Sequence, residues 1–298
     1  MATALPTAES ILQPSPRRLL FGRVSRHVGL MLGGGVFIAI VVLALLAPLI
    51  APADPYVQNV AKRLISPVWE ADGSWAHPLG TDHLGRDYLT RLIYGAQVSL
   101  IIGACAALIS GIIGTTMGVL AGYFGGRVDM VITTIITIRL ALPVVLVALA
   151  VVGVIGGSLQ VMIAVIGLLL WDRFAVVMRS ATLQIRSLDY VAAARVSGCS
   201  TLRIVLTEVL PNVLNPLIVV ATLEMAHAIL LEAALSFLGL GVQPPLPSWG
   251  LMIAEGKNYI LFKSWLIGIP GAALFALILA INLMGDGVRD ITAPEGRG

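Results

Sequence analysis

The sequence predicts an all-α protein that crosses a membrane six times. Of its 298 residues, 58% are hydrophobic and 12% are charged, and the mean hydropathy is +0.95, whereas about 25% of the residues in soluble domains are charged. Several stretches with almost no Asp, Glu, Lys or Arg are long enough for helices of about 20 residues, the length that spans a bilayer. Composition therefore excludes a soluble globular domain and indicates a polytopic protein embedded in lipid.

The positively charged residues set the expected orientation. With the N-terminus in the cytoplasm, cytoplasmic segments hold twelve of the nineteen Lys and Arg residues and outer segments hold six, with Arg139 inside a span. Because cytoplasmic loops carry such an excess, both termini are expected in the cytoplasm. The net charge of +3 follows from this bias and indicates no nucleic-acid partner. Cys105 and Cys199 suggest neither a disulfide framework nor a thiolate metal site.

The apolar stretches give the expected divisions of the chain. The first span is expected to be a retained anchor, because no basic leader of its own and no convincing cleavage site accompany it. The divisions are a cytoplasmic tail (1–27), span one (28–50), an outer loop (51–97), span two (98–122), span three (130–152), span four (159–175), a cytoplasmic loop (176–211), span five (213–235), an outer loop (236–264), span six (265–284) and a C-terminal tail (291–298), with the membrane core at 98–290.

Two patterns support individual spans. Gly114 and Gly118 have the small-xxx-small spacing by which membrane helices pack closely, so span two is expected to be buried in a bundle. The glycines of GVIGGS, residues 153–158, are expected to separate spans three and four.

The first outer loop contains a polar motif, HPLGTDHLGRD. Its residues of interest are His77, Gly80, Asp82, His83, Gly85, Arg86 and Asp87. Imidazoles and carboxylates bind divalent cations, so a metal site, or a membrane enzyme built on one, is one interpretation. The favoured interpretation is structural: the glycines form turns, Asp82 caps the following segment, and Arg86 pairs with Asp87 or with a backbone carbonyl. No metal and no catalytic residue are therefore predicted.

Polar residues also fall within the predicted spans. Arg139 either has a function in the membrane or extends its side chain to the cytoplasmic face. In span five, Glu224, His227 and Glu232 lie within an arc of roughly 140°, at 100° per residue. They either line a translocation path or, as the slightly favoured alternative, form a buried hydrogen-bonded contact between subunits. A proton relay through these three residues, in a secondary transporter or channel, is an alternative function.

The loop of residues 176–211 has more regular patterning than a connection needs, since links in helix bundles usually take about two to eight residues. Asp189 is expected to cap a helix over residues 190–197, Gly198 to end it, and Ser200 to cap a second helix that runs to residue 210. A helix and turn of this kind fit a groove on a soluble partner.

The helix expected over residues 190–197 should present a small apolar face. The residues assigned to the helix and its stop are Asp189, Tyr190, Val191, Ala193, Ala194, Arg195 and Gly198. Val191, Ala193 and Ala194 supply the apolar face, which is too small to hold a membrane surface strongly. We therefore expect this helix to transmit work from a soluble partner into the membrane.

Four motifs carry a resemblance to a known family. They are HPLGTDHLGRDYLTRLIYGAQVSL (77–100), DYVAAARVSG (189–198), LSFLGLGVQPPLPSWG (235–250) and NLMGDGVRD (282–290). Together they resemble an inner-membrane permease subunit of an ATP-binding-cassette (ABC) importer, in the branch for dipeptides, oligopeptides, nickel and related solutes. Within that branch the motifs are more similar to the second permease partner than to the first.

The resemblance implies a type I importer fold in the bacterial inner membrane and a set of partners. These are a homologous second permease, one or two cytoplasmic ATPase subunits that bind ATP and Mg²⁺, and a periplasmic solute-binding protein. Peptides are the favoured cargo, with nickel, glutathione-like compounds and opines as alternatives. The chain itself is expected to bind no cofactor and to be no enzyme, because its Gly256-Lys257 pair is followed by Asn258 and forms no phosphate-binding loop.

One position departs from the family pattern. The family's motif, named EAA, has a glutamate where this chain has Ala192. Ala193, Ala194 and Gly198 match, so the resemblance implies a helix that docks on the ATPase and couples it to the membrane, without a salt bridge through residue 192.

Overall fold

A computed structural model describes residues 27–292. This part of the chain is a bundle of α-helices, and its β-structure is limited to isolated bridges. The predicted tails lie outside the described residues, except His27 and residues 291–292. The helices are α1 (Val28–Leu45), α2 (Ala47–Ile50), α3 (Tyr88–Phe124), α4 (Gly126–Ala141), α5 (Val144–Ile155), α6 (Leu159–Leu169), α7 (Trp171–Arg186), α8 (Asp189–Val196), α9 (Thr201–Ile204), α10 (Leu214–Phe237), α11 (Trp249–Gly256) and α12 (Trp265–Thr292).

The number of membrane-crossing helices agrees with the all-α, six-span prediction. Among the described residues, five helical stretches are long and apolar enough to cross a bilayer: α1, α3, the run α6 with α7, the run Thr201–Phe237, and α12. The pair α4 and α5, bent by 81°, provides the sixth when it is counted as one span.

Several helices begin or end away from the expected limits. The α3 helix begins at Tyr88, within the stretch expected to be an outer loop, because the Asp87 carboxylate accepts a hydrogen bond from the Thr90 N–H and caps it. The α7 helix continues to Arg186, so the first part of the expected cytoplasmic loop is helical. Apolar patterning alone does not show where a capped helix extends beyond the lipid.

The third span is interrupted at a position that the sequence analysis did not identify. Leu142 and Pro143 separate α4 from α5, because proline has no N–H to donate and its ring excludes the residue before it from a helix. The expected break at residues 153–158 is also present: Gly156, with φ of +101°, ends α5, and Ser158 caps α6.

The close packing predicted for span two is confirmed. A Cβ added to Gly118 would lie 2.7 Å from Met178 Cβ and would clash with the Ala175 carbonyl, and Gly114 meets Trp171 and Phe174 in the same way. The backbones of α3 and α7 therefore approach each other through glycine. At the N-terminal end, Gly33 of α1 packs equally closely on α12.

Adding one methyl group at the α3–α7 contact should destabilise the protein. We expect Gly118→Ala to lower the free energy of unfolding by about 1–3 kcal/mol, because overpacking outweighs the gain of about 1 kcal/mol in helix propensity. Thermal unfolding in detergent measures the change. Gly35→Ala is the matched control, because no atom lies within 4 Å of its added Cβ. Equal melting temperatures for the two variants would contradict the close contact.

Candidate functional site

Residues 187–213 form a compact connection between α7 and α10, which we call the elbow. Its first helix, α8, begins at Asp189 with Leu188 in the capping position and no side-chain cap. The expectation that Asp189 caps this helix was therefore wrong. Asp189 is the first helical residue, where its negative charge still interacts favourably with the helix dipole.

The end of α8 agrees with the expectation for Gly198. This glycine has a φ of +76°, its N–H donates to the Arg195 carbonyl at 3.1 Å, and the Cys199 N–H donates to the Ala194 carbonyl at 3.1 Å. These two bonds are those of a Schellman motif, which requires a left-handed residue at that position. Ser200 then caps α9, because its hydroxyl accepts a hydrogen bond from the Arg203 N–H.

The second half of the elbow is less regular than expected. Instead of one α-helix to residue 210, α9 continues as a π-helical turn (Val205–Val209) and a 3₁₀ turn (Leu210–Val213) before α10. Pro211 lies in the 3₁₀ turn, where its missing N–H does not interrupt a longer α-helix.

The elbow is fixed to the ends of α3 and α7. Val191 is completely buried in an apolar cluster with Tyr123 and Met178. The Arg195 guanidinium lies 5.8 Å from the centre of the Tyr123 ring, close enough for a cation–π contact. Arg186 Nη1 donates to the Tyr123 carbonyl at 3.0 Å. The orientation of α8 is therefore set by the transmembrane helices.

The residues available to a partner differ from those predicted. Val191 faces inward and Ala194 is half-buried, whereas Tyr190, Ala193 and Val196 are exposed, with Val196 90% exposed. An eight-residue helix has apolar residues on two sides, and the sequence alone does not indicate which side packs inward. Leu202 and Leu206 of the second half of the elbow are also exposed. Exposed apolar patches of this kind mark contact surfaces.

The intramembrane arginine contacts the backbone at two helix ends. Arg139, in the last turn of α4, donates to the Leu142 carbonyl at 3.4 Å and to the Leu169 carbonyl at the end of α6. A cation is favourable at helix C-termini, where carbonyls lack partners. Arg139 thus joins the break after α4 to the break after α6.

The three polar residues of α10 do not form one group. Arg173 Nη1 donates to Glu224 Oε1 at 3.2 Å, and His227 Nδ1 lies 3.7 Å from Glu224 Oε2. Glu232 instead accepts from Ser236 at 2.7 Å and from Ser248, the cap of α11, at 2.9 Å. Eight residues of helix separate the two carboxylates by about 12 Å along the axis. This geometry does not support a proton relay through all three residues.

The outer polar motif forms a buried ion-pair cluster with α11. Asp82 Oδ2 accepts from Arg86 Nε at 2.6 Å and from Arg91 Nη1 at 2.5 Å, and both arginines also donate to Glu255. Asp82, Arg86 and Arg91 are at most 2% exposed. Burial would raise the pKa of Asp82, but the two guanidinium groups outweigh it and hold the pKa below its ordinary value.

The remaining motif residues have structural contacts. Gly80 and Gly85 have φ of +80° and +73°, as expected for turns. Asp87 caps α3 and accepts from His77 Nδ1 at 2.9 Å, so the expected pairing of Arg86 with Asp87 was wrong.

The metal-site alternative is not supported in the described part of the chain. The residues brought together there are Asp82, His83 and Glu255, rather than the four ligands considered from the sequence, and both carboxylates already accept from guanidinium groups. Arg91 and Glu255 were missed because they lie 164 positions apart and no spacing pattern connects them.

Two family models match this helical bundle and show the class of protein to which it belongs. The family model described as "binding-protein-dependent transport system inner membrane component" matches residues 114–297, and that for the "N-terminal TM domain of oligopeptide transport permease C" matches residues 15–67. The chain therefore belongs to the family of binding-protein-dependent transport permeases, in its dipeptide branch.

Individual relatives are similar over almost the whole chain. A di/tripeptide transport system permease of Pseudomonas aeruginosa is 42% identical over 99% of this chain and 97% of its own length. A dipeptide transport system permease of Haemophilus influenzae is 41% identical over 88% of this chain and 89% of its own length. A solved inward-facing structure of the MetNI methionine ABC transporter matches with a TM-score of 0.59 and 21% identity, covering 69% of this chain and 98% of that one. The last comparison shows the type I permease fold.

Removing the Asp82 carboxylate, which both arginines of the buried ion-pair cluster contact, should destabilise the protein. We expect Asp82→Asn to cost about 3–5 kcal/mol, because two buried guanidinium groups lose a partner. Asp72→Asn, an exposed change in the same loop, is the control and should be neutral. Thermal unfolding in detergent at neutral pH measures both, and a neutral Asp82→Asn would contradict the cluster.

The same aspartate predicts an acid dependence. Because its folded pKa lies below the ordinary value of 3.8, its stabilising contribution is complete above pH 3.8 and is lost as the pH falls through the folded pKa. The difference in melting temperature between the native protein and Asp82→Asn should therefore be constant above pH 3.8 and shrink below it. A difference that disappears already near neutral pH would contradict this assignment.

Proposed function

We propose that this chain is the transmembrane permease subunit of an ATP-driven importer in the bacterial inner membrane, and that it translocates dipeptides or oligopeptides. In this proposal it pairs with a homologous second permease, one or two cytoplasmic ABC ATPase subunits and a periplasmic solute-binding protein. The similar proteins are named for the transport of dipeptides and tripeptides, which favours peptides over nickel, glutathione-like compounds and opines.

The elbow is the observation that carries the proposal. Its apolar patch of Tyr190, Ala193 and Val196 is exposed, while Val191 and Arg195 fix the same helix to the bundle. A surface that must both dock and transmit displacement needs this combination of an exposed contact face and a rigid attachment. Closure of an ATPase dimer would move α8 and, through α7 and α10, the spans that bound the path.

In this proposal the ATPase subunits bind and hydrolyse ATP, and this chain does not. Gly256 and Lys257 end α11 and are followed by Asn258, so they do not form a phosphate-binding loop with a Ser or Thr for Mg²⁺. ATP and Mg²⁺ would be bound by the ATPase subunits.

An acidic side chain in the exposed patch should uncouple the complex. We expect Val196→Asp, in the reconstituted complex, to reduce both ATP hydrolysis stimulated by the binding protein and peptide uptake by about tenfold or more, because it places an unpaired charge in an apolar interface. Val196→Ala is the control, since it shortens the same exposed side chain without adding a charge. Stimulation unchanged by Val196→Asp would reject the docking role.

The stop of α8 gives a second test. Gly198→Pro should abolish stimulated ATP hydrolysis without preventing membrane insertion, because proline cannot adopt a φ of +76°. Gly198→Asn should retain most of the activity, since asparagine tolerates the left-handed region. Equal activity in both variants would show that the shape of the turn is unimportant for coupling.

A further inference from the structure

A cleft at the cytoplasmic end of the bundle takes no part in the exposed patch of the elbow or in the outer ion-pair cluster. Its volume is about 330 Å³, which lies within the range of about 300–1,000 Å³ that is usual for small-molecule sites. The walls belong to α7, α10 and α12 and are mainly apolar. The apolar side chains are Val177, Pro216, Val219, Val220 and Leu223. Walls of this composition favour a hydrocarbon group over water.

The cleft lies between α10 and α12, which run in opposite directions. The two helices touch at Gly285, where an added Cβ would lie 2.4 Å from Thr222 Oγ1. Seven residues nearer the cytoplasm on each helix, Asn215 and Thr292 line the cleft. At a rise of about 1.5 Å per residue, the cleft is therefore about 10 Å deep.

The polar lining is confined to the cytoplasmic mouth of the cleft. Arg289 is exposed in the last turn of α12, and Asn215 is exposed in the first turn of α10. Neither side chain makes a hydrogen bond with another residue of 27–292. The acidic neighbours of Arg289 on α12, Asp286 and Asp290, do not line the cleft, and Asp290 Oδ2 lies 3.0 Å from His27 Nε2. Guanidinium and amide donors at this mouth are thus available to an anion.

The width of the cleft excludes a helix from a partner subunit. A volume of 330 Å³ over a depth of about 10 Å gives a mean cross-section of about 33 Å², whereas a helix about 10 Å across needs about 80 Å². A single extended chain fits this width. An extended peptide would bring backbone N–H and C=O groups against the apolar walls without partners, which is unfavourable. An acyl chain has no such groups.

We propose that this cleft binds an anionic phospholipid of the cytoplasmic leaflet. One acyl chain lies between α10 and α12, and the phosphate accepts charge-assisted hydrogen bonds from Arg289 and a further hydrogen bond from the Asn215 amide. Basic pockets between membrane helices on the cytoplasmic side bind lipid headgroups in this way. A zwitterionic headgroup fits less well, because no described Asp or Glu lines the cleft to receive its ammonium. The site goes beyond the proposed function, since lipid binding requires no cargo.

Photo-cross-linking identifies the occupant. The complete transporter, with p-benzoylphenylalanine in place of Val219, is reconstituted in vesicles of equal parts phosphatidylglycerol and phosphatidylethanolamine and is then illuminated. We expect phospholipid adducts on the α10 peptide, with phosphatidylglycerol enriched about fivefold, the effect of one arginine near an anionic headgroup. The same amino acid in place of Phe275, 68% exposed on α12, is the control, and its adducts should show no headgroup preference.

Other occupants give different products in this experiment. An adduct at residue 219 with the second permease subunit or with a transported peptide would overturn the proposal. Equal headgroup ratios at residues 219 and 275 would overturn it as well, because the cleft would then hold only bulk lipid. Lipid adducts at residue 275 without any at residue 219 would show that no lipid enters the cleft.

Variants of Arg289 test the headgroup contact. With the cross-linker at residue 219, Arg289→Gln should reduce the phosphatidylglycerol preference from about fivefold to parity, while the apolar walls still give lipid adducts. Arg289→Lys should keep most of the preference, because the positive charge remains. Arg127→Gln is the matched control: Arg127 is an exposed arginine in the first turn of α4 that does not line the cleft, so the preference should persist. An unchanged preference in Arg289→Gln, or an equal loss in Arg127→Gln, would reject the site.

Discussion

The contact between α3 and α7 through glycine is the constraint on which the other features depend. Because Gly114 and Gly118 allow the backbones to meet, α7 lies directly on the longest helix of the described chain. Phe174 and Met178 fill this contact from α7, and Val191 of the elbow joins the same apolar region. In lipid, where apolar surface gives no driving force for association, close packing of this kind is the main source of cohesion between helices.

Polar and charged side chains inside the bundle make hydrogen bonds to other residues of the same chain. Within the described residues, Arg139 bonds to carbonyls at two helix ends, and Glu232 accepts from two serine hydroxyls. Each of these groups makes two hydrogen bonds within this chain, while Arg139 Nε and Glu232 Oε2 have no partner among the described residues. Arg173 differs from these residues in exposure, because its side chain is 56% exposed although it donates to the buried Glu224.

The sequence was sufficient for the class of fold, the number of spans, the glycine contact and the stop at Gly198, because each depends on local composition or on a single backbone conformation. The sequence was insufficient where contacts between distant segments determine which side chains meet. The pairing of Arg91 with Glu255 required the folded arrangement of two outer segments. The inward turn of Val191 likewise depends on Tyr123 and Met178, which no helical periodicity of α8 reveals. The bend at Pro143 is different, because its cause is local: a proline within an apolar run breaks the helix.

The uninterrupted length of α7 has a mechanical consequence. From Trp171 to Arg186 it has sixteen residues, or about 24 Å of stiff rod. One end adjoins Leu170, which separates α7 from α6, and the other end meets the elbow. If α7 tilts about its Leu170 end, a small displacement of the elbow becomes a rotation of the whole helix. Arg173 lies within one turn of Leu170. Such a tilt would therefore change the angle of the Arg173 side chain towards Glu224 more than the distance of Arg173 from the membrane surface.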